Sequence, residues 1–302
     1  MKILMIGHGM VGHKFIESVL EQAGDDIELT ILAEEPHLAY DRVHLTEYFS
    51  GKSVKDLSLC RSDFADAYGI DLRLNTKAVE IDQLHKTVTT SQGDVLSFDK
   101  LILATGTYAF VPPIPGNDRQ NCFVYRTIED LDAIRAASLN AKTGVVIGGG
   151  LLGLEAAKAL RDLNLETHVV EFAPRLMAVQ IDDLGGRVLR SKIEDLGVKV
   201  HTQKATSSIE DGDSTQHVMK FEDGSVLETD IILFSAGIRP RDELARQSGL
   251  LIGERGGIII NDYCQTSHPD IYAIGECALW DNKIYGLVAP GYDMARIAAK
   301  HV

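Results

Sequence analysis

Ile6-Gly7-His8-Gly9-Met10-Val11-Gly12 and Ile147-Gly148-Gly149-Gly150-Leu151-Leu152-Gly153 are two copies of one pattern, G-x-G-x-x-G. Each lies between an apolar run and a stretch with helical spacing. Lys2–Ile6 is apolar without helical period and reads as a buried parallel strand. Val11, Phe15, Ile16, Val19 and Leu20 then recur at helical spacing, Gly24-Asp25-Asp26 should break that helix, and Ile27–Leu32 reads as the next strand. The second loop has the same setting: strand Gly144–Ile147, helix Leu151–Leu163, strand Thr167–Val170. One such motif is weak; two in the right setting imply two dinucleotides on one polypeptide, and hence electron transfer between them.

The residue types suit that chemistry. In a doubly wound sheet the ligand sits beyond the carboxyl ends of the strands. Gly7 and Gly148 permit a tight turn, Gly9 and Gly150 let backbone approach the pyrophosphate, and Gly12 and Gly153 let helix and strand pack closely. Met10-Val11 and Leu151-Leu152 open helices whose free N–H groups face the phosphates. Acidic residues after the second strand of each unit, Glu34 with Glu35 and Glu171, can accept from ribose hydroxyls. At a nicotinamide site, Glu171 would repel a 2′-phosphate and favour NADH, whereas Arg175 four residues on keeps NADPH open.

The 302 residues, 45% hydrophobic, suffice for two domains with their own cores. Thirty basic against 44 acidic residues give a net charge of −14, which argues against a nucleic-acid surface and otherwise serves solubility. No signal peptide is read before the first strand and no apolar run approaches the ~20 residues of a membrane span, so a cytoplasmic protein is expected, with no membrane partner. Cys60, Cys122, Cys264 and Cys277 form no C-x-x-C and no zinc-finger spacing, and should be reduced, mostly buried thiols. His8 and His13 are expected on the loop and helix surface, and no metal site is expected.

The order of parts repeats. Short strands at Asp71–Leu74, Ala78–Asp82, Thr87–Thr90 and Val95–Phe98 lead to Lys100–Leu103 and Ala104-Thr105-Gly106. Likewise Val198–Val200, Thr206–Ile209, Val218–Phe221 and Val226–Leu227 lead to Ile231–Phe234 and Ser235-Ala236-Gly237. Val111-Pro112-Pro113-Ile114-Pro115-Gly116 is the clearest linker, and Thr127 with Asp130 should cap a helix.

Gly7-x-Gly9-x-x-Gly12, Ala104-Thr105-Gly106, Gly148-x-Gly150-x-x-Gly153-x-Glu155, Ala236-Gly237-Ile238-Arg239-Pro240 and Ile271-Tyr272-Ala273-Ile274-Gly275-Glu276 occur in the order found in the two-dinucleotide flavoprotein reductases, which this chain resembles. Within that group it is similar to the N-terminal part of the NAD(P)H-dependent nitrite reductase large subunits, on Gly9-Met10-Val11-Gly12-His13, Ala39 to Leu45, Val124 to Leu131 and Gly286 to Tyr292. The resemblance implies an α/β chain of two Rossmann-like three-layer domains. The FAD domain is discontinuous (1–112 and 242–302), the NAD(P)H domain (113–241) is inserted, and the C-terminal interface domain is absent. It further places Gly275 and Glu276 over the flavin with Glu276 on the ribitol, Arg42 along the FAD, and a helix after Ala289, with Pro290 in its first turn, pointing at the flavin. Ala104-Thr105-Gly106 would complete the FAD site, and Glu155, Ala236 and Gly237 the nicotinamide site.

Two departures stand out. Leu45-Thr46-Glu47 lacks the lysine that relatives pair with the glutamate matching Glu155, and the iron–sulfur and sirohaem cysteine clusters of nitrite reductases are absent. His37 to Ser50 also holds no cysteine, so the flavin is the expected redox centre and no residue is assigned as catalytic. Three readings follow. The chain is an NADH-oxidising module feeding iron–sulfur and sirohaem domains of a longer chain, or a separate reductase for a small rubredoxin- or ferredoxin-type carrier, or a sensor that holds FAD and NADH without turnover. The oligomeric state stays open.

Overall fold

The computed structural model describes residues 1–22 and 27–302, so the break expected at Gly24-Asp25-Asp26 lies outside the described residues. The chain forms two compact units. One comprises Met1–Asp41, Leu57–Tyr108 and Arg239–Val302; the other comprises Arg42–Asp56 and Ala109–Ile238.

The first unit is built on a five-stranded sheet in the order Ile271–Ala273, Lys100–Leu103, Lys2–Ile6, Glu28–Leu32, Asp71–Arg73. Every pairing is parallel. Ile3 to Ile6 and Leu101 to Leu103 are buried as continuous runs, because both faces of the sheet are covered. The core joins the sheet to Phe15, Ile16 and Val19 of helix Met10–Leu20, to Met294, Ala295 and Ala298 of helix Val288–His301, and to Ile81 and Val88 of the antiparallel Ala78–Asp82, Thr87–Thr90, Val95–Ser97 meander.

The second unit repeats this plan. Its parallel sheet runs Val198–Thr202, Glu166–Glu171, Thr143–Ile147, Ile231–Phe234, Cys122–Val124. Strands Thr206–Asp211, His217–Phe221 and Val226–Thr229 form its antiparallel meander. Val145, Val170, Ile209, Met219, Ile232 and Phe234 share one core across the two sheets. Thr127 caps helix Ile128–Ser138 in a reciprocal box with Asp130, as the pattern implied.

Residues 42–56, which the sequence reading placed with the first domain, pack in the second unit. The cause is tertiary: Tyr48 donates to Asp132 (2.5 Å), Arg135 donates to the Tyr48 carbonyl (2.6 Å), and the Arg135 guanidinium lies 4.2 Å from the Tyr48 ring centroid. These partners are more than 80 residues apart, beyond any local pattern. Strand Cys122–Val124 carries no sequence signal, since three residues show no periodicity. No described helix is long and apolar enough to cross a membrane.

Asp270 tethers the strand that leads to Gly275-Glu276. It accepts from Lys86 (2.6 Å) and Lys100 (2.8 Å), and these two ammonium groups hold its carboxyl at about 2. A depressed carboxyl stabilises the fold above its ordinary value and stops doing so as pH falls through about 4 towards 2. Asp270→Asn should therefore cost roughly 2 kcal/mol at neutral pH. Thermal melts of the two chains should converge as the pH falls to about 2 and below; a gap that stays constant with pH would rule out the ion pairs as its source.

Candidate functional site

Four strand ends converge in the first unit. Gly7 N–H donates to the Leu32 carbonyl (2.8 Å), Ala104 N–H to the Ile6 carbonyl (2.8 Å) and Ile274 N–H to the Leu103 carbonyl (3.0 Å). Thus the Gly7 loop, Ala104-Thr105-Gly106 and Gly275-Glu276 share the carboxyl edge of one sheet. Gly12 sits against the Gly7 carbonyl, where a Cβ would lie 2.6 Å from the oxygen. Val11 touches both Gly275 and Gly291, which draws the start of helix Val288–His301, with Ala289 and Pro290, to the same edge. Gly9 is the N-cap of helix Met10–Leu20, and no side chain among the described residues caps it. Among the described residues, a Cβ on Gly9 or on Gly106 would meet nothing within 4 Å, so the loop faces open space. Free helical N–H groups beside an open face fit a pyrophosphate.

Acidic residues flank this loop. Glu34 pairs with Arg241 and Lys77; burial disfavours its charged form, but these cations outweigh burial and hold it below the usual carboxylate range. Glu35 accepts from Tyr40 (2.6 Å). Glu276 accepts from Thr107 (2.6 Å), and Thr105 donates to the Arg241 carbonyl (2.6 Å). Thr107 and Arg241 were missed in the sequence, where neither belongs to a motif. Arg42 falls in the 42–56 segment, which clusters with the second unit, and donates to the Arg126 carbonyl (2.9 Å).

The second unit reproduces the loop. Gly148 N–H donates to the Val170 carbonyl (2.8 Å) and Ser235 N–H to the Ile147 carbonyl (2.8 Å), which aligns the loop with Ser235-Ala236-Gly237. Among the described residues, Gly150 is the uncapped N-cap of helix Leu151–Asp162, and a Cβ on Gly150 or Gly237 would meet nothing within 4 Å. Leu151 is exposed and Leu152 half-buried at that helix start. Glu171 accepts from the backbone N–H of Gly149 (2.6 Å) and of Ala173 (2.7 Å), so its carboxylate is fixed beneath the loop. Arg175 donates to the carbonyls of Ile181 (3.0 Å) and Ala178 (3.2 Å) and to Asp183 (2.7 Å), so its guanidinium is committed to its own loop. Burial pushes Glu155 up, and His44, from the 42–56 segment, partly offsets this. His44 is thus the electrostatic influence on Glu155 where the lysine of relatives is missing.

The four cysteines are all free, Cys264 and Cys277 buried, Cys60 and Cys122 half-buried. Burial pushes Cys122 up to about 11 and Cys264 up to about 12, and raises Cys60 and Cys277 as well. Thiols held protonated in this way are poor nucleophiles. One expectation is overturned: His8 and His13 are 8% and 4% exposed rather than on the surface. The His13 ring packs edge-on against Phe64, at 5.0 Å between centroids, and burial lowers His8 to about 4.

A family profile described as pyridine nucleotide-disulphide oxidoreductase matches residues 1–301. The chain belongs to the pyridine nucleotide-disulphide oxidoreductase family. It is 54% identical over 303 residues to the nitrite reductase (NADH) large subunit of Escherichia coli (strain K12), covering 100% of this chain and 36% of that one. It is 29% identical over 300 residues to a rubredoxin-NAD(+) reductase of Alcanivorax borkumensis, covering 99% of this chain and 78% of that one. Among solved structures, a ferredoxin reductase from Rhodopseudomonas palustris superposes with a TM-score of 0.92 at 28% identity, covering 99% of this chain and 76% of that one. The chain spans about a third of the nitrite reductase relatives it matches.

Proposed function

We propose that this chain is the NADH-oxidising flavoprotein module of a nitrite reductase large subunit, with FAD in the first unit and NADH in the second. The observation that carries it is the pair of uncapped glycine loops, each at the carboxyl edge of its own parallel sheet and each facing open space. The similarity to the Escherichia coli large subunit over the whole of this chain supports the nitrite reductase setting. Bound FAD would supply hydride acceptance from the nicotinamide and onward delivery of single electrons. The partners would be the iron–sulfur and sirohaem domains of a longer chain, in the cytoplasm, where free thiols are stable.

The protein groups position and select. The Gly7–Gly12 and Gly148–Gly153 loops would hold the two pyrophosphates on helix N-termini. Glu34 and Glu35 stand at the edge for the FAD ribose, with Arg241 keeping Glu34 ionised, and Glu276 stands beside Thr107 for the ribitol. The helix at Ala289-Pro290 would direct its positive end at the flavin. Glu171, held in place by two backbone donors, would reject a 2′-phosphate, and Arg175 is too committed to receive one; NADH is therefore preferred. Glu171→Ala should weaken NADH about tenfold and narrow the NADH-to-NADPH ratio of kcat/KM. An unchanged ratio would remove Glu171 from the ribose site.

Anaerobic addition of NADH to the yellow protein tests the whole reading. Rapid bleaching supports it; a chain that binds both molecules without bleaching is a sensor. The second reading, a separate reductase of a small carrier, is favoured by the rubredoxin reductase relative, most of whose length this chain covers. Fast reduction of added rubredoxin by NADH through this chain would select it.

A further inference from the structure

Beneath the first glycine loop lies a side-chain cluster that dinucleotide binding does not use. His8 from the loop, His13 from helix Met10–Leu20 and Cys60 from the segment before helix Phe64–Ala67 each present one ligand atom, and all three atoms lie within 4.8 Å of one another. His8 and His13 are more than nine-tenths buried. Among the described residues, both ring nitrogens of His8, and Nδ1 of His13, have no hydrogen-bond partner. A buried imidazole nitrogen left unmet, whether N–H donor or acceptor, forfeits a hydrogen bond with nothing in return, and three such nitrogens lie at one spot.

We propose that His8, His13 and Cys60 form a binding site for a borderline divalent cation of the Zn²⁺ type. Two imidazoles and a thiolate are a donor set that Zn²⁺ takes readily, with bonds near 2.0–2.3 Å. Tetrahedral bonds of that length place ligand atoms roughly 3.3–3.8 Å apart, so the present cluster needs only a small closure. His13 offers Nδ1, because its Nε2 faces the Glu17 carboxylate at 3.6 Å. A carboxylate behind the far nitrogen of a ligating histidine is the arrangement that fixes its tautomer and raises its basicity. Glu17 also offsets the net positive charge that a divalent cation with one thiolate would leave. The fourth position falls to water, and a cavity of about 200 Å³ lined by His13, Glu17, Leu59 and Tyr292 gives a route in from solvent. The cation would tie the Cys60 segment to the Gly7–Gly12 loop, so it would hold the loop's shape without touching a reacting atom.

The flavin-loaded chain, stripped of metal by a chelator, should bind one equivalent of Zn²⁺ in competition with a chromophoric chelator, and should not bind Mg²⁺. Co²⁺ in its place should give a thiolate-to-metal charge-transfer band. Cys60→Ser should weaken Zn²⁺ by roughly 100-fold or more and abolish that band. Cys122→Ser, a thiol outside the cluster, should bind like the parent. Alkylation of Cys60 in the unmodified chain gives an independent readout: stoichiometric Zn²⁺ should slow it. No binding, binding unaltered by Cys60→Ser, binding lost equally in Cys122→Ser, or a cobalt spectrum without a thiolate band would each overturn the site.

Discussion

Gly12→Val should purify colourless, with flavin affinity lowered by at least about 100-fold. A Cβ at this position would lie 2.6 Å from the Gly7 carbonyl oxygen, 3.3 Å from Met5 Cε and 3.4 Å from Ala104 Cβ. The first neighbour cannot retreat. Gly7 is pinned by its bond to the Leu32 carbonyl, and Ala104, packed against it, by its bond to the Ile6 carbonyl. Relief has to come from the helix, whose start would lift off the sheet. Overpacking of that kind costs roughly 1–3 kcal/mol in stability. The larger effect is on the ligand: the same lift withdraws the N–H groups of the first turn from the pyrophosphate, and two lost charge-assisted bonds amount to about 3 kcal/mol or more. The flavin-to-protein ratio after gel filtration measures it, with circular dichroism to confirm the fold. Gly12→Ala adds the clashing Cβ with less bulk and should give a partial loss if valine proves insoluble. Either variant emerging fully yellow would mean the loop does not carry the FAD.

The features legible in the sequence were those with local causes. Both glycine loops are readable because a strand, a tight turn and a helix must follow in order, and each demands its own residues within about 15 positions. Continuous burial of Ile3 to Ile6 and Leu101 to Leu103 is visible as apolar runs. What was not legible depends on distant partners. Nothing near Arg42 or Tyr48 indicates that the segment packs on Asp132 and Arg135. Arg241 beside Glu34 joins residues 207 apart. His8 and His13 looked like surface residues because the segment that buries them, around Cys60 and Phe64, returns from about 50 residues later. The Glu155 environment was half legible: the missing lysine was visible, while His44 as the nearby influence was not, since its effect depends on the 42–56 segment packing against helix Leu151–Asp162.

Gly153→Val should give the complementary phenotype: a yellow protein that NADH cannot bleach. The clash is tighter than at Gly12, since a Cβ here would overlap the Gly148 carbonyl oxygen, with Ser235 Oγ 3.5 Å away. Gly148 is held by the Val170 carbonyl and Ser235 by the Ile147 carbonyl, so helix Leu151–Asp162 must again give way. Every group assigned to FAD other than Arg42 lies in the other unit, so flavin content should stay near the parent's. The loss falls on NADH alone, and a misplaced pyrophosphate also misaligns the nicotinamide; displacement of about 1 Å can cost a hundredfold in rate beyond the loss in binding. Bimolecular bleaching at low NADH should therefore slow by roughly 1,000-fold or more, while dithionite still bleaches the flavin fully. That contrast separates a broken nicotinamide site from a damaged flavin. Normal bleaching by NADH would place the nicotinamide elsewhere; loss of flavin alongside NADH would mean that the two loops do not serve separate ligands, and the division of labour between the units would fall with it.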